Sequence, residues 1–277
     1  GWSLLRAVQE NRIKTTWCTI EPGYSTEFYD AVKADGCEIA LHYDALDGRP
    51  RTSWGEHQLI GQHAWLTRAA DVSIVSNKNH YTRWEGRLEF FRWCVSLGIQ
   101  CDQTKGPSKL GTIGYPFGGA HPWFPLDDDG TVIDCLELNL QTQDLNVTCP
   151  EHFGPYWIDQ AARHHGIAHY LFHPAHIDTD GVATALKGVV KRGRDKGFEW
   201  WTCAQINDWE RARRSVRLES SRRRRGGRSY TFTSESPLKD ATLLFLDPRG
   251  KGECVERYGF SFRKVVTNLD GGVELEI

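Results

Sequence analysis

Helical and strand patterns alternate along residues 1–218, and this alternation constrains the fold more than any other feature of the sequence. Short β-rich runs are separated by segments whose apolar residues recur at helical spacing. Strands that alternate with helices are typical of parallel sheets, because the helices form the crossovers. The predicted strands are 14–20, 37–41, 72–75, 99–103, 132–139, 167–172 and 198–203. At this chain length the pattern predicts an α/β fold, a distorted (β/α)7–8 barrel rather than an open sheet.

Capping residues mark two helix starts. Ser25 precedes an apolar stripe and can cap a helix that Gly36 ends. Ser53 and Glu56 have the spacing of a capping box, which predicts a helix that opens here and runs to about Ala70. No glycine-rich dinucleotide-binding fingerprint follows the early strands, which disfavours a nucleotide-binding open sheet.

The run Arg222–Arg228 contains five arginines and two glycines. Blocks of like charge usually stay solvated, so we interpret this run as a flexible linker rather than a nucleic-acid or lipid contact. Beyond it the sequence shows strand patterns only. We therefore predict three parts, namely a barrel at 1–219, a linker at 220–228 and a small all-β extension at 229–277.

Charge and hydropathy exclude several classes of function. The 277 residues carry 34 basic and 36 acidic side chains, a formal net charge of −2, which argues against a general nucleic-acid binder. No run of about 20 apolar residues is present, so we predict no membrane span. No signal peptide is visible, which favours a cytoplasmic location. The sequence predicts no particular oligomeric state.

Three histidines, His42, His80 and His173, each follow a predicted strand. In parallel barrels, functional side chains project from the carboxyl ends of the strands. Neutral imidazole is the commonest metal ligand, and a catalytic zinc keeps an open position for water. We therefore predict that these imidazoles meet at the barrel mouth around a divalent metal, with zinc expected. Each histidine taken alone is also compatible with a purely structural role.

Four segments carry a resemblance to a known family. They are KTTWCTI at 14–20, GCEIALH at 36–42, YLFHP at Tyr170–Pro174, and FEWWTC at 198–203. In order and spacing they resemble the polysaccharide deacetylase superfamily, the NodB-homology or carbohydrate esterase family 4 group. The second segment resembles the family's G-H-E-I-G-x-H strand, and the third resembles its late L-x-H motif. The resemblance covers roughly residues 1–218.

The resemblance implies metal-dependent removal of an acyl group, expected to be N-acetyl, from a polysaccharide or amino sugar. It implies that His42 binds the metal and that His173 is the general acid. The family's first motif, T-F-D-D, has no counterpart in the chain, and Leu46 stands where a second metal-binding histidine is expected. We expect His80 to take that ligand position and the catalytic carboxylate Asp44 to orient an imidazole from behind.

The predicted substrate-binding residues are Arg83, Trp84, Tyr115 and Trp123, cationic and aromatic side chains suited to the rim of a sugar site. The expected partner is a carbohydrate substrate, with no nucleic acid.

Two other functions fit the same sequence. A glycoside hydrolase needs a pair of carboxylates about 5 to 9.5 Å apart, and Glu137, Asp144 and Glu38 are candidates. A catalytically inactive barrel that binds sugar or a partner is the third hypothesis. Bound metal separates the deacetylase hypothesis from both of these alternatives.

Overall fold

In the computed structural model the chain forms two compact units, Gly1–Asn207 and Asp208–Ile277. The structure describes residues 1–48, 52–108, 113–115, 117–225, 227–247 and 254–277. Gly226, which belongs to the predicted linker, lies outside the described residues.

Helices alternate with short strands through the first unit. The described helices are α1 (Trp2–Glu10), α2 (Thr26–Ala34), α3 (Glu56–Ala70), α4 (Glu89–Ser96), α5 (Phe153–His164) and α6 (Val182–Asp195), with a 3-10 turn at His80–Thr82. Helix α7 (Cys203–Ser215) begins in the first unit and ends in the second. The strands are β1 (Thr16–Thr19), β2 (Glu38–Leu41), β3 (Ser76–Asn77), β4 (Cys101–Asp102), β5 (Leu136–Glu137), β6 (Thr142–Gln143) and β7 (Tyr170–Leu171).

The strands of the first unit are parallel and follow one another in chain order. One sheet has the order β1-β2-β3-β4-β5, and β6 pairs with β7 in a second sheet. Parallel strands need crossover connections, and helices supply most of them here. The predicted α/β class is therefore confirmed, and the carboxyl ends of neighbouring strands share one edge.

Helix α2 shows how closely the sequence specifies a local structure. The Ser25 side chain accepts a hydrogen bond from the Phe28 backbone N–H at 3.3 Å, as predicted for an N-cap. Gly36 lies just beyond the helix with a φ of +67°, a conformation that glycine adopts without strain. The buried residues Phe28, Tyr29 and Val32 form the face that packs into the core.

The predicted capping box at Ser53 is wrong. Helix α3 begins three residues later, at Glu56, with Gly55 as its N-cap and no side-chain capping bond. The hydroxyl of buried Tyr43 explains the difference, because it donates to the Ser53 carbonyl at 2.7 Å and accepts from the Gly55 N–H at 2.9 Å. A distant tyrosine thus takes the role that the local pattern assigned to serine.

The predicted strand at 198–203 is also wrong, since α7 begins at Cys203 and the described residues before it form no strand. Side chains satisfy the backbone here. The Thr202 N–H donates to Gln205 Oε1 at 2.9 Å, and the Cys203 N–H donates to Thr16 Oγ1 at 2.8 Å. These bonds cap the start of α7 instead of extending a ladder.

Other predicted strands are shorter than expected or displaced. The run 132–139 contributes only Leu136–Glu137, and 72–75 precedes the strand Ser76–Asn77.

The main apolar core of the first unit surrounds the first strands and helices. Its largest fully buried side chains include Tyr29, Tyr43, Phe90, Phe91 and Leu66. Burying one such side chain contributes roughly 1.5–3 kcal/mol. The same core includes Trp17 of β1 and Ile39 and Leu41 of β2, the strand that His42 follows.

The second unit is an antiparallel sheet, which confirms the predicted all-β extension as part of the fold class. Its strands are β8 (Arg217–Arg224), β9 (Gly227–Leu246), β10 (Cys254–Arg257) and β11 (Phe260–Glu276), in the order β10-β11-β9-β8. Ala212, Phe232, Leu238 and Leu269 form its own buried cluster.

Most described residues of the predicted linker at 220–228 belong to two paired strands. Arg222 is in register with Ser229, and Arg223 with Arg228. Strand β8 is at the edge of its sheet, where charged side chains can remain solvated while the backbone pairs. Solvation of the arginines is thus compatible with a strand, although the charge pattern suggested a flexible chain.

None of the helices that the structure describes combines the length and apolar character that a membrane span requires.

Candidate functional site

Two of the predicted site histidines follow adjacent strands. His42 comes directly after β2, and His80 lies three residues beyond the end of β3. Leu41 and Asn77 are in register at the ends of these strands. The ring centroids of His42 and His80 are 5.1 Å apart, so the sheet brings the two imidazoles together.

The His42 ring is held in one tautomer. Its Nδ1 lies 2.8 Å from the Lys78 carbonyl oxygen, which can only accept, so Nδ1 carries the proton and Nε2 carries the lone pair. Burial lowers the pKa of His42 to about 3. His42 is therefore a neutral imidazole near pH 7, the form that can bind a metal.

Asp44 lies behind the His80 ring, with Oδ1 3.2 Å from Nδ1. The Asp44 backbone is fixed by Gln62, whose amide accepts from its N–H and donates to its carbonyl, each at 2.8 Å. Asp44 is only 3% exposed, so its carboxylate is a constrained acceptor. When Nδ1–H donates to this carboxylate, His80 Nε2 is left as an acceptor or ligand atom.

The third predicted histidine, His173, belongs to a separate cluster centred on Asp144. The Asp144 Oδ2 atom lies 2.5 Å from His173 Nδ1 and 2.9 Å from His176 Nδ1. Asp144 Oδ1 also accepts the His173 backbone N–H at 2.7 Å. Asp144 follows β6 and His173 follows β7, so neighbouring parallel strands place them together.

Asp144 is buried while both of its imidazole partners are about two-fifths exposed, at 39% of each side chain. Burial alone raises the pKa of Asp144, but the hydrogen bonds from His173 and His176 outweigh it and hold that pKa below its ordinary value. The cluster therefore combines a fixed anion with two accessible rings.

Asp144, His173 and His176 have the composition of a metal site. Their ligand atoms all lie within 4.8 Å of one another, and no other such group of three occurs in the part of the chain that the structure describes. One carboxylate and two imidazoles supply the three protein ligands that a catalytic zinc site uses. This group can hold a divalent metal ion.

The sequence arguments missed this grouping. His176 had no assigned role, and Asp144 was considered only as a glycosidase carboxylate. The spacing His173-x-x-His176 directly after the predicted strand 167–172 is the signal that could have revealed part of it.

A cavity of about 340 Å³ joins several of these elements. His42, His80 and His173 all line it, together with β1, β7 and the facing sides of α1 and α6. Predicted site residues from three separate strand ends therefore share one cavity.

The predicted substrate-binding residues have other surroundings, and none is among the described residues that line the cavity. Arg83 bonds to Glu85 and to the Ala45 carbonyl, which places it beside the Asp44 turn. Trp84 packs in the aromatic core and has Lys105 Nζ 3.3 Å from its ring centroid.

Tyr115 and Trp123 also make contacts that stabilise the fold. Tyr115 meets the Trp157 ring edge-on at 5.0 Å, and Trp123 Nε1 donates to Asn139 at 3.1 Å.

The glycosidase candidates Glu137 and Glu38 are enclosed by protein. Glu137 is fully buried, and burial and its neighbour Asp102 raise its pKa well above the ordinary value. Glu38 bonds to Thr16 and Ser76. Neither carboxylate is among the described residues that line the cavity.

No family model matches the chain, and no curated protein matches it at a significant level. A solved structure does: a protein from Mycobacterium smegmatis named as a polysaccharide deacetylase has a TM-score of 0.55 and 20% identity, over 76% of this chain and 77% of that chain. At this identity the match shows the fold. The chain has the distorted α/β barrel fold of the polysaccharide deacetylases, and the resemblance seen in the sequence is confirmed at that level.

Two more distant structures also match. The Xyl-CE4 domain of a multidomain xylanase from the hindgut metagenome of Trinervitermes trinervoides has a TM-score of 0.42 and 11% identity, over 76% of this chain and 83% of that chain. A family 4 acetyl xylan esterase from Clostridium thermocellum, in complex with a cobalt ion, has a TM-score of 0.38 and 10% identity, over 74% of this chain and 82% of that chain. Both TM-scores are below 0.5.

Proposed function

We propose that the protein is a metal-dependent hydrolase that removes an acyl group from an N-acylated sugar of a polysaccharide. The observation that carries the proposal is the group of Asp144, His173 and His176, whose candidate ligand atoms all lie within 4.8 Å of one another. The deacetylase-like fold supports a carbohydrate as the substrate class.

Asp144, His173 and His176 are the residues that would hold the metal. Their donor atoms fit a divalent cation because two rings and one fixed carboxylate already converge. A divalent metal at such a site polarises an acyl carbonyl and lowers the pKa of a bound water. Zinc is the metal we propose first, since mixed nitrogen and oxygen ligands suit it.

The pair His80 and Asp44 is suited to moving a proton. The Asp44 carboxylate holds His80 Nδ1–H, which leaves Nε2 able to accept a proton and then to donate it to a leaving amine. The nearby carboxylate stabilises the imidazolium that forms in between. Asp44 thus keeps the catalytic positioning role predicted from the sequence, here through His80.

The roles predicted from the sequence give a second possible assignment of metal ligands and general acid for the same activity. In it His42 and His80 bind the metal through Nε2, and Asp144 orients His173 as the general acid. The His42 tautomer suits that arrangement, but among the described residues His42 and His80 belong to no group of three candidate ligands whose atoms all lie within 4.8 Å of one another. The two arrangements predict different metal-binding variants.

Arg83, Trp84, Tyr115 and Trp123 remain our candidates for contact with the polysaccharide outside the cavity. Arg83 has the strongest position of the four, because its backbone N–H bonds to the His80 carbonyl at 3.1 Å. Trp84, Tyr115 and Trp123 are not among the described residues that line the cavity with the histidines.

The test is acetate release from a soluble oligomer of N-acetylglucosamine. We expect release that a chelator abolishes and added zinc restores. Replacing His176 by alanine should abolish release, while His57→Ala, a change at an exposed position of α3, should not. Acetate release that a chelator leaves unchanged, or that survives in His176→Ala, would contradict the proposal.

The same preparation tests the alternatives. Chelator-insensitive cleavage of an aryl glycoside would favour a glycosidase. Binding of the oligomer without any hydrolysis by the zinc-loaded protein would favour the inactive sugar-binding barrel.

A further inference from the structure

The backbone of the turn that carries His80 is strained. Tyr81 and Thr82, the two residues after His80, have φ values of +55° and +50°. Glycine adopts this left-handed region freely, whereas a β-branched residue such as threonine is a rare outlier there. Strained residues of this kind persist only where the surrounding contacts hold them. The contacts that hold this turn therefore bear directly on the position of His80.

Asn79 makes the contacts that close the turn. Its side-chain Nδ2 donates to the Arg83 carbonyl at 3.0 Å, and its backbone carbonyl accepts from the Thr82 N–H at 3.0 Å. Asn79 is buried at 0% exposure, so water does not compete for these bonds. Its side chain thus reaches across the strained segment from one end to the other.

Three further buried side chains hold Asn79 from behind. Asn77 Nδ2 donates to Asn79 Oδ1 and to Asp102 Oδ1, each at 2.8 Å. The Thr104 hydroxyl accepts from the Asn79 backbone N–H at 2.9 Å and donates to Asp102 Oδ1 at 2.8 Å. We call these four residues, Asn77, Asn79, Asp102 and Thr104, the Asn79 network. Because Asn77 ends β3 and Asp102 ends β4, the network ties the turn to the sheet.

His80 is bonded to the segment that follows β2. Its backbone N–H donates to the Tyr43 carbonyl at 2.8 Å, and its Nδ1 lies 3.2 Å from Asp44 Oδ1. The second distance is at the long limit of a hydrogen bond, so a small shift of the turn breaks it. None of the four residues of the Asn79 network lines the cavity, so the network acts on the reaction only through the turn.

We propose that Asn79 is a positioning residue, which keeps the strained turn closed and thereby holds the His80 ring against Asp44. This inference rests on the proposed function, in which His80 moves a proton. Without the Asn79 side chain the turn relaxes towards unstrained backbone conformations, and His80 Nδ1 loses its fixed acceptor. The neutral ring then exchanges between its two tautomers, so Nε2 can accept a proton for only part of the time.

The kinetics of Asn79→Ala in the zinc-loaded full chain test the effect on the reaction. We expect kcat for acetate release to fall at least about 10-fold while KM changes less than about 2-fold, because a misplaced proton-transfer group slows the chemistry and not substrate binding. Asn11→Ala is the matched control, since Asn11 Nδ2 also donates to a carbonyl four residues away, that of Ala7. This control should keep the kcat of the parent protein.

The tautomer of His80 gives a readout that needs no activity. Long-range 1H–15N NMR spectra of the full chain in chelator, at a pH where the ring is neutral, should show only the Nδ1–H tautomer of His80 in the parent protein. Asn79→Ala should show averaging of both tautomers, and Asn11→Ala should match the parent. Asn79→Ser keeps a hydroxyl as partner for Asn77 but is too short to reach the Arg83 carbonyl, so this milder variant should average the tautomers as well.

Thr82→Gly tests the strain in the turn. Glycine takes a φ of +50° without cost, so this variant should melt at the temperature of the parent protein or higher. A melting temperature several degrees lower would remove the strained turn from the argument and overturn the proposal.

The proposal is also overturned if folded Asn79→Ala or Asn79→Ser keeps the single His80 tautomer of the parent, whatever its stability. Averaged tautomers with the kcat of the parent would overturn it too, because the position of the ring would then not affect the reaction. If the zinc-loaded parent protein releases no acetate, the proposed function fails, and the NMR comparison alone decides whether Asn79 positions His80.

Discussion

The Asp144 carboxylate lies 2.5 Å from Nδ1 of His173. Asp144 directly follows β6, and His173 lies two residues beyond the end of the parallel strand β7. Asp144 is 1% exposed and accepts from the His173 backbone as well as from its ring. Such a carboxylate either shares a metal with the ring or orients the ring as a proton donor.

Replacing His173 by alanine should remove bound metal if His173 is a ligand. We expect metal affinity to fall at least about 100-fold and acetate release to be lost, since one of three protein ligands is missing. Metal analysis after dialysis measures the first effect. Retained metal with much lower turnover would instead give His173 the general-acid role predicted from the sequence.

Replacing His42 by alanine, or His80 by alanine, should leave bound metal in place in this account. Loss of metal in both variants, with the circular dichroism spectrum unchanged, would transfer the ligand role to these two histidines.

Replacing His80 should lower turnover, because His80 is the proposed proton-transfer group. We expect His80→Ala to lower the rate about 100-fold or more, because a positioned proton-transfer group contributes 10²–10⁴-fold. Asp44→Asn should lower turnover with little change in KM, since the carboxylate that holds the His80 ring is lost. A purely structural Asp44 would change stability and leave the turnover of the folded protein unchanged.

Stability should depend on pH through His42. Its pKa is about 3 when folded and 6.5 ordinarily, so between these values the unfolded chain binds more protons. The stability that neutral His42 contributes is complete above pH 6.5 and is lost as the pH falls towards 3. Between pH 7.5 and 5 the loss attributable to His42 should be on the order of 1–2 kcal/mol.

Urea unfolding at the two pH values, in chelator, measures that difference. The His42→Gln variant should lose less stability on acidification than the parent protein, and His57→Gln, at an exposed position, should behave like the parent. An identical loss in His42→Gln would assign the pH dependence to other groups.

The sequence predicted the α/β class well because its signals are local. The Ser25 cap and the glycine at position 36 bound α2 by backbone chemistry that needs no distant partner. The capping box at Ser53 failed because the hydroxyl of Tyr43, a residue from another part of the chain, bonds to that segment.

The candidate site was predictable only in part for a related reason. Histidines after strands can be located by pattern, and three of them do line one cavity. Which side chains share a proton or an ion depends on the register between β6 and β7, and this places Asp144 against His173. No spacing in the sequence encodes a contact between residues 29 positions apart.

The arginine run shows a further limit of pattern analysis. A block of positive charge indicates solvation, and Arg222 and Arg223 are indeed exposed. It does not indicate backbone conformation, because an edge strand can pair its amides while its side chains remain in water.

The most direct test is the metal content of Asp144→Asn. The substitution keeps the shape of the side chain but removes the negative charge and one acceptor. After dialysis against zinc and removal of excess, the parent protein should retain about one ion per chain and the variant almost none. Full zinc occupancy in a folded Asp144→Asn protein would contradict the assignment of this cluster as the metal centre.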